Sequence, residues 1–403
     1  MSGRPDWRGK WERLIADSKR QVRPETLPFP TDAQLDLIKA ALLPAEQAAP
    51  AWRRWKARGL SLDTVGDASF RLLGRLWANR DAAAIGAEDL GLLKGVYRQS
   101  FADNVAKLTA ALDAAQIIVD AGIPVLFFKG AALIATCDAT LGLRRIADVD
   151  ILVPERDAER AAASLIAAGY QPAAESLRDK PANCRIGHAR SWRCPTPPGY
   201  EIDLHWWAFK PAGDDSPMFE TARDATLLER QILVPSATES LLVAVANAFW
   251  REGPPLRWIV DSLLLFQAGP IDWDALLQRA NRPGVLPGLT AGLGYLVSEF
   301  GAPVPAAVLD ELRRQPISWR ARVAHWAVTN GTMPELTRFE DYRAHGLHYP
   351  GRLDHKVLLL RARAAARFVA LLIIRYGNRL VSRARAGRSA TAQRRRGAEA
   401  DVR

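Results

Sequence analysis

The stretch Asp148-Val149-Asp150-Ile151-Leu152-Val153 constrains the fold of this chain more than any other. Its second half is apolar and rich in branched side chains, which is typical of a buried strand. Successive side chains of a strand point to opposite faces, so Asp148 and Asp150 share one face, with Cα atoms about 7 Å apart. Two carboxylates placed in this way are able to converge on one divalent cation. An Asp-x-Asp pair alone is a weak signal, because it also occurs at solvated strand ends.

A second segment, upstream of this pair, strengthens the prediction. Residues 123–128 are apolar and predict a buried strand, which ends at Lys129-Gly130 and is followed by an alanine-rich helix. A glycine at such a turn lets a backbone or a phosphate group approach closely.

A third segment offers another carboxylate. Residues 200–206 alternate between polar and apolar, which places Glu201, Asp203 and His205 on one face of a further strand. Ile202 and Leu204 flank Asp203, whereas Glu201 follows a proline-rich turn. We therefore expect Asp203, rather than Glu201, to be the third carboxylate of the site, since a buried acid needs a cation or a donor to stay ionised.

These motifs resemble those of a known family. They are Lys-Gly, Arg-x-x-x-Asp-x-Asp followed by Leu-Val, Gly-Tyr and Ile-Asp-Leu-His-Trp, at Lys129, Gly130, Arg144, Asp148, Asp150, Leu152, Val153, Gly169, Tyr170, Asp203, His205 and Trp206. Asn104 ahead of them, and residues 256–261 and 272–274 behind them, extend the resemblance to residues 30 to 300. The chain resembles the uncharacterised nucleotidyltransferase family of the DNA polymerase β-like superfamily. One departure is Lys129-Gly130, which stands where the wider superfamily usually carries Gly-Ser.

The resemblance implies a fold, a reaction and a set of site residues. The fold is α+β (mixed α/β), a polymerase β-like core with a small mixed sheet and helical domains on both sides. The reaction is transfer of a nucleoside monophosphate from a nucleoside triphosphate to an acceptor, with release of pyrophosphate. Asp148, Asp150 and Asp203 are the implied catalytic and metal-binding residues, for two Mg²⁺ ions or, alternatively, Mn²⁺. Lys129, Gly130 and Arg144 are the implied nucleotide contacts, and the candidate supporting residues are His205, Arg257 and Asp261.

The length and hydropathy of the chain predict its domains. With 403 residues, of which 48% are hydrophobic, two or three domains are expected. We predict a flexible segment (1–29), a helical domain (30–117), the core (118–235), a C-terminal helical domain (236–349), and a basic amphipathic helix with a disordered arginine-rich tail (350–403). Within the core, residues 180–198 contain four prolines and are predicted to form a loop.

Positive charge is concentrated in the tail. Residues 356–403 contain 13 lysines and arginines and two acids, an excess equal to the net charge of +11 of the whole chain. The basic composition therefore does not indicate that the cleft prefers nucleic acid. The alternatives for the amphipathic tail are an anionic membrane surface, packing on the protein body, nucleic acid, or disorder.

Location, partners and function leave alternatives open. Neither an apolar run near 18 residues nor an apolar signal segment occurs, so we expect a cytoplasmic protein, with peripheral membrane association through the tail as an alternative. The expected partners are a nucleoside triphosphate and an acceptor that is a small molecule, a peptide or RNA, and no dedicated protein partner is predicted. A metal-dependent glycosyltransferase and a catalytically silent nucleotide-binding or scaffold protein are the alternative functions.

Overall fold

The computed structural model describes residues 28–138, 140–173, 188–195, 199–209, 214–249, 256–281 and 285–317, and His325. The chain divides into two units, Met1–Pro334 and Glu335–Arg403, and all described residues lie in the first. The basic helix predicted in the tail and nearly all of segment 1–29 lie outside the described residues. Among the described residues, no helix is long and apolar enough to cross a membrane.

Helices precede the sheet. They are α1 (Asp32–Leu42), α2 (Ala45–Ala57), α3 (Asp67–Phe70), α4 (Leu73–Ala78) and α5 (Ala87–Asp120). Thr31 and Gln34 open α1 with a reciprocal capping box, which satisfies backbone groups that the first helical turn leaves free. The 34 residues of α5 span about 50 Å, so this helix passes from the helical region to the start of the core.

The core contains one mixed sheet of seven strands among the described residues. They are β1 (Leu126–Phe127), β2 (Val149–Leu152), β3 (Gln171–Pro172), β4 (Ala189–Arg193), β5 (Glu201–His205), β6 (Arg223–Leu227) and β7 (Arg230–Val234). The order is β3-β4-β5-β2-β1-β7-β6, with β2 and β5 parallel, β1 and β7 parallel, and the remaining pairs antiparallel. The expected mixed α/β architecture is confirmed; the polymerase β-like core and the separate flanking domains stay predictions.

The observed strands differ from the predicted ones in two places. Within the predicted strand at residues 123–128, only Leu126 and Phe127 form ladder pairs. The segment 180–198 was predicted to be a loop, and that is wrong for Ala189–Arg193, which forms β4 by pairing antiparallel with all of β5. The pairing decides the structure there, because a neighbouring strand overrides a weak local preference.

Further helices lie between the strands and after them along the chain. They are α6 (Gly130–Thr136), α7 (Ala158–Ala167), α8 (Ser216–Glu220), α9 (Ala237–Ala248), α10 (Arg257–Ala268), α11 (Trp273–Ala280), α12 (Val285–Phe300) and α13 (Ala306–Arg314). One buried hydrophobic cluster joins residues from α1 to α13 and includes Leu126 of β1, Leu133 of α6 and Leu152 of β2. The elements around the predicted site are therefore anchored in the main core.

Asn104 of α5 fixes the segment that leads into β2. Its amide nitrogen donates to the carbonyl oxygen of Leu141 at 2.7 Å and to that of Arg144, and its amide oxygen accepts from the backbone N–H of Ile146 at 3.3 Å. The side chain is fully buried. One amide thus satisfies three backbone groups of an irregular segment and sets where β2 begins.

Candidate active site

Strand register brings two of the predicted carboxylates side by side. Asp150 of β2 and Asp203 of β5 are partners in a parallel pair, and Leu152 pairs with His205 two positions further on. Side chains two residues apart on a strand share a face, so Asp150, Asp203 and His205 point to the same side of the sheet.

Asp150 is the centre of a buried polar cluster. Its Oδ1 atom lies 2.6 Å from Nζ of Lys129 and 2.8 Å from Nε2 of His205, and these two nitrogen atoms are 3.5 Å apart. Burial of Asp150 acts to raise its pKa, but Lys129 and His205 outweigh burial and hold that pKa well below its usual range. Asp150 is therefore a carboxylate throughout the physiological pH range.

The backbone between β1 and α6 adopts an unusual conformation. Lys129 has a φ of +52° and a ψ of −125°, in a region that residues with a side chain rarely occupy. At Gly130, a Cβ atom would lie 2.9 Å from Cγ2 of Ile146 and 3.3 Å from Nη2 of Arg257, so a larger residue does not fit. This turn directs the lysine ammonium group toward Asp150.

His205 is buried and has a contact at each ring nitrogen. Nε2 faces Asp150, and Nδ1 lies 3.4 Å from the carbonyl oxygen of Trp207. Burial and the nearby charge of Lys129 lower the pKa of His205, which favours the neutral ring. A neutral ring carries one proton, so it donates to only one of these two oxygen atoms at a time.

Asp203 is half-buried and faces two other acids. Burial, followed by repulsion from Asp150 and Asp148, raises its pKa to about 6, although a hydrogen bond from Ser191 acts in the opposite direction. Atoms of Asp150, Asp203 and His205 that are able to bind a metal all lie within 4.8 Å of one another. Two carboxylates that repel each other, with an imidazole beside them, are able to hold a divalent cation, which would relieve the repulsion between the carboxylates.

Two acids near this group are more exposed. Asp148 precedes β2, is exposed and lies outside the three-residue group, although its charge reaches Asp203. Glu201 is exposed at the start of β5 and lies 3.4 Å from Nε of Arg193. The expected difference in burial between Glu201 and Asp203 is thus observed.

Arg144 and Asp261 meet in a separate ion-pair cluster. Nη1 of Arg144 lies 2.6 Å from Oδ1 of Asp261, and Nε lies 3.2 Å from Oδ2 of Asp138, which also pairs with Arg75. Burial alone would lower the pKa of Arg144, but Asp261 and Asp138 raise it above its ordinary value. Asp138 carried no recognisable signal in the sequence, because a single acid after a short helix belongs to no motif.

Arg257 of α10 lies beside the Lys129-Gly130 turn. Its Nη2 atom borders Gly130, and no described acid forms an ion pair with it. Burial, followed by repulsion from Arg144 and Arg71, outweighs the attraction of Asp261 and lowers its pKa. The environment of Arg257 is therefore one in which an added anion would be stabilising.

Fold and site together define an α/β protein with a cluster of carboxylates and an imidazole on one face of a mixed sheet. The family model described as uncharacterised nucleotidyltransferase matches residues 69–301, which is more than half of the chain and includes every residue of the site. The chain belongs to this family, as its motifs suggested. No curated protein matches the chain.

Proposed function

We propose that this protein transfers a nucleoside monophosphate from a nucleoside triphosphate to an acceptor and releases pyrophosphate. The observation that carries the proposal is the parallel register of Asp150 and Asp203, with Lys129 and His205 on the same oxygen of Asp150. Membership of the nucleotidyltransferase family supports the same reaction class.

Asp148, Asp150 and Asp203 are the proposed ligands of Mg²⁺, with two ions and with Mn²⁺ as the alternative. When bound, such ions neutralise the triphosphate and lower the pKa of the attacking oxygen. In this proposal the chain holds Asp150 ionised and sets Asp203 beside it. The metal position is thereby organised before the substrates arrive.

The cations around the Lys129-Gly130 turn are the proposed phosphate contacts. Lys129 supplies an ammonium group there, and Gly130 leaves space for the phosphate chain. Arg257 borders the same glycine and lacks a described acid partner, so it offers a guanidinium fork to phosphate oxygens. Arg144 is the second proposed arginine contact, since its Nη2 atom is buried without a hydrogen-bond partner among the described residues.

The test is transfer of label from each nucleoside triphosphate to an acceptor in cell extract. Asp203→Asn preserves shape and removes the charge, so it should lower turnover by several powers of ten while the fold is kept. Glu201→Gln, on the same strand but exposed, is the matched control and should change turnover by less than about tenfold. Transfer by Asp203→Asn at the wild-type rate, with Glu201→Gln inactive, would contradict the assignment.

A further inference from the structure

We propose that Nε2 of His205, together with Asp150 and Asp203, forms a metal position that takes a first-row transition cation in preference to Mg²⁺. The inference rests on the proposed function, because it concerns the cation of the same site. It assigns His205 a direct ligand role and gives the site a metal selectivity.

The first argument is the pair of contacts that His205 makes. Without a metal, the ring proton on Nε2 is donated to the carboxylate of Asp150, 2.8 Å away. Moving that proton to Nδ1, which lies 3.4 Å from the carbonyl oxygen of Trp207, frees the Nε2 lone pair for a metal ion. Metal-binding histidines almost always donate the other ring N–H to a carbonyl or a carboxylate, which fixes the tautomer and the ring orientation. The carbonyl oxygen of Trp207, two residues after His205, is placed to accept the Nδ1 proton in such an arrangement.

The second argument is that the ring has little freedom to turn away. His205 is 2% exposed and contacts the ring of Phe128 edge-on, with centroids 4.9 Å apart. A second edge-on contact, to His188, has a centroid distance of 5.1 Å. Because β5 is also fixed in register with β2, the imidazole and the two carboxylates are positioned without a ligand.

The third argument is that a cation already occupies part of this space. The ammonium group of Lys129 lies 2.6 Å from Asp150 and 3.5 Å from Nε2 of His205. The lysine side chain is 29% exposed, so it has room to move toward solvent when a metal replaces its charge. The cluster is therefore one that favours positive charge beside the imidazole.

Ligand chemistry then decides which metal binds. Mg²⁺ prefers an octahedron of oxygen atoms and gives up its water reluctantly. Imidazole suits first-row transition ions, whose affinity for such sites rises from Mn²⁺ through Co²⁺. In a site of two carboxylates and one imidazole, the imidazole nitrogen therefore adds more to the affinity for a transition ion than to the affinity for Mg²⁺.

The experiment measures metal binding to the full chain without nucleotide. Mn²⁺ is titrated by EPR and Co²⁺ by absorption, and Mg²⁺ is added as the competitor. We expect the affinity for Mn²⁺ to exceed that for Mg²⁺ by about tenfold or more. The affinity for Co²⁺ should be higher than that for Mn²⁺. Pulsed EPR of the Mn²⁺ complex should show coupling to an imidazole nitrogen, which tests the ligand without any substitution.

Two variants sharpen the result. His205→Gln replaces the nitrogen ligand by an oxygen. It should weaken the binding of Co²⁺ and Mn²⁺ by about 10–100-fold and change the binding of Mg²⁺ little. A loss of this size is seen even when a residue that only hydrogen-bonds to a metal ligand is replaced. Glu201→Gln, which changes an exposed acid of the same strand outside the ligand group, should leave the ratio of Mn²⁺ to Mg²⁺ affinity unchanged.

Three outcomes would overturn the inference. They are a Mn²⁺ complex without nitrogen coupling, an unchanged metal ratio in folded His205→Gln, and failure of the wild type to bind Mn²⁺. If Lys129→Met bound Mn²⁺ where the wild type did not, Lys129 would be the permanent counter-ion of Asp150. Transfer of the nucleotide label with Mg²⁺ is measured separately. Absence of that transfer would contradict the proposed function, but it would not affect the measured ratio of metal affinities.

Discussion

Lys129 combines a strained backbone with a strong electrostatic contact. A residue with a side chain at its φ of +52° and ψ of −125° costs about 1–3 kcal/mol, and such strain persists where the surroundings enforce it. The ion pair with Asp150 and the close packing of Gly130 against Ile146 provide that enforcement. Strain of this kind, located beside a charged cluster, is typical of functional turns.

Asp203 shows the opposite effect, a side chain whose ionised form weakens the fold. Its pKa rises from an ordinary value of 3.8 to about 6, so the folded state binds this proton more tightly than the unfolded state. Stability from this group is therefore present below about pH 4 and is lost as the pH rises through 6.

Asp203→Asn should consequently stabilise the metal-free protein at pH 8. Each unit of pKa shift corresponds to about 1.4 kcal/mol, so the expected gain in free energy of unfolding is on the order of 1–3 kcal/mol at pH 8 and close to zero at pH 4. Urea unfolding of both proteins in EDTA between pH 4 and pH 8 measures the difference. A gain that does not depend on pH would show that Asp203 is not the titrating group.

At the scale of elements, the Arg144 cluster joins three parts of the fold. It links Asp261 on α10, Asp138 after α6 and the segment before β2, and both ion pairs of Arg144 are almost fully buried. Removing one partner of a buried pair leaves an uncompensated charge, which costs far more than the pair contributes.

Asp261→Asn should therefore lower the free energy of unfolding by about 3–5 kcal/mol. The matched control is Asp310→Asn, which breaks an exposed pair with Arg313 on α13 and should change stability by less than about 1 kcal/mol. Urea unfolding at pH 7 compares the two. Equal losses of unfolding free energy in both variants would mean that the Arg144 cluster does not stabilise the fold more than an exposed ion pair does.

The sequence indicated which side chains share a face but not which strands are neighbours. Alternation along residues 200–206 correctly grouped Asp203 with His205, since the period of a strand is a local property. The pairing of Asp150 with Asp203 joins strands separated by about fifty residues, and no local pattern encodes it. For the same reason β4 was missed: its strand exists because β5 offers a partner.

The sequence predicted the side chains that belong to local motifs, but not their contacts with distant parts of the chain. Lys129 and Asp150 were recognisable from their motifs. Arg144 was predicted only as a nucleotide contact, and its two acid partners were not foreseen, because one follows α6 and the other lies on α10. Asn104 lay within the resemblance, but its contacts with the segment before β2 required the fold.

At the scale of the whole molecule, charge and chemistry occupy different parts of the chain. The site residues lie between Lys129 and Asp261, whereas the excess of basic residues is confined to 356–403. Each arginine near an anionic surface contributes about 1 kcal/mol at low salt. We expect the tail to attach the protein to such surfaces independently of the site.

Deleting residues 356–403 should abolish sedimentation with anionic vesicles and leave nucleotide labelling intact. Neutral vesicles are the control, since they should not sediment either form. The measurement is made at about 0.1 M salt, where screening is incomplete. If the full-length chain stays in the supernatant with anionic vesicles, the attachment hypothesis is wrong.

The raised pKa of Asp203 also has an evolutionary consequence. The ionised acid weakens the fold at neutral pH, so replacing it would raise the stability of the protein. Selection for the function of the site is then what retains the acid. A lineage that stopped using the site should lose this acid early while keeping its hydrophobic core. An aspartate retained here is therefore expected in relatives in which use of the site is still under selection, and its replacement is expected where the site has fallen out of use.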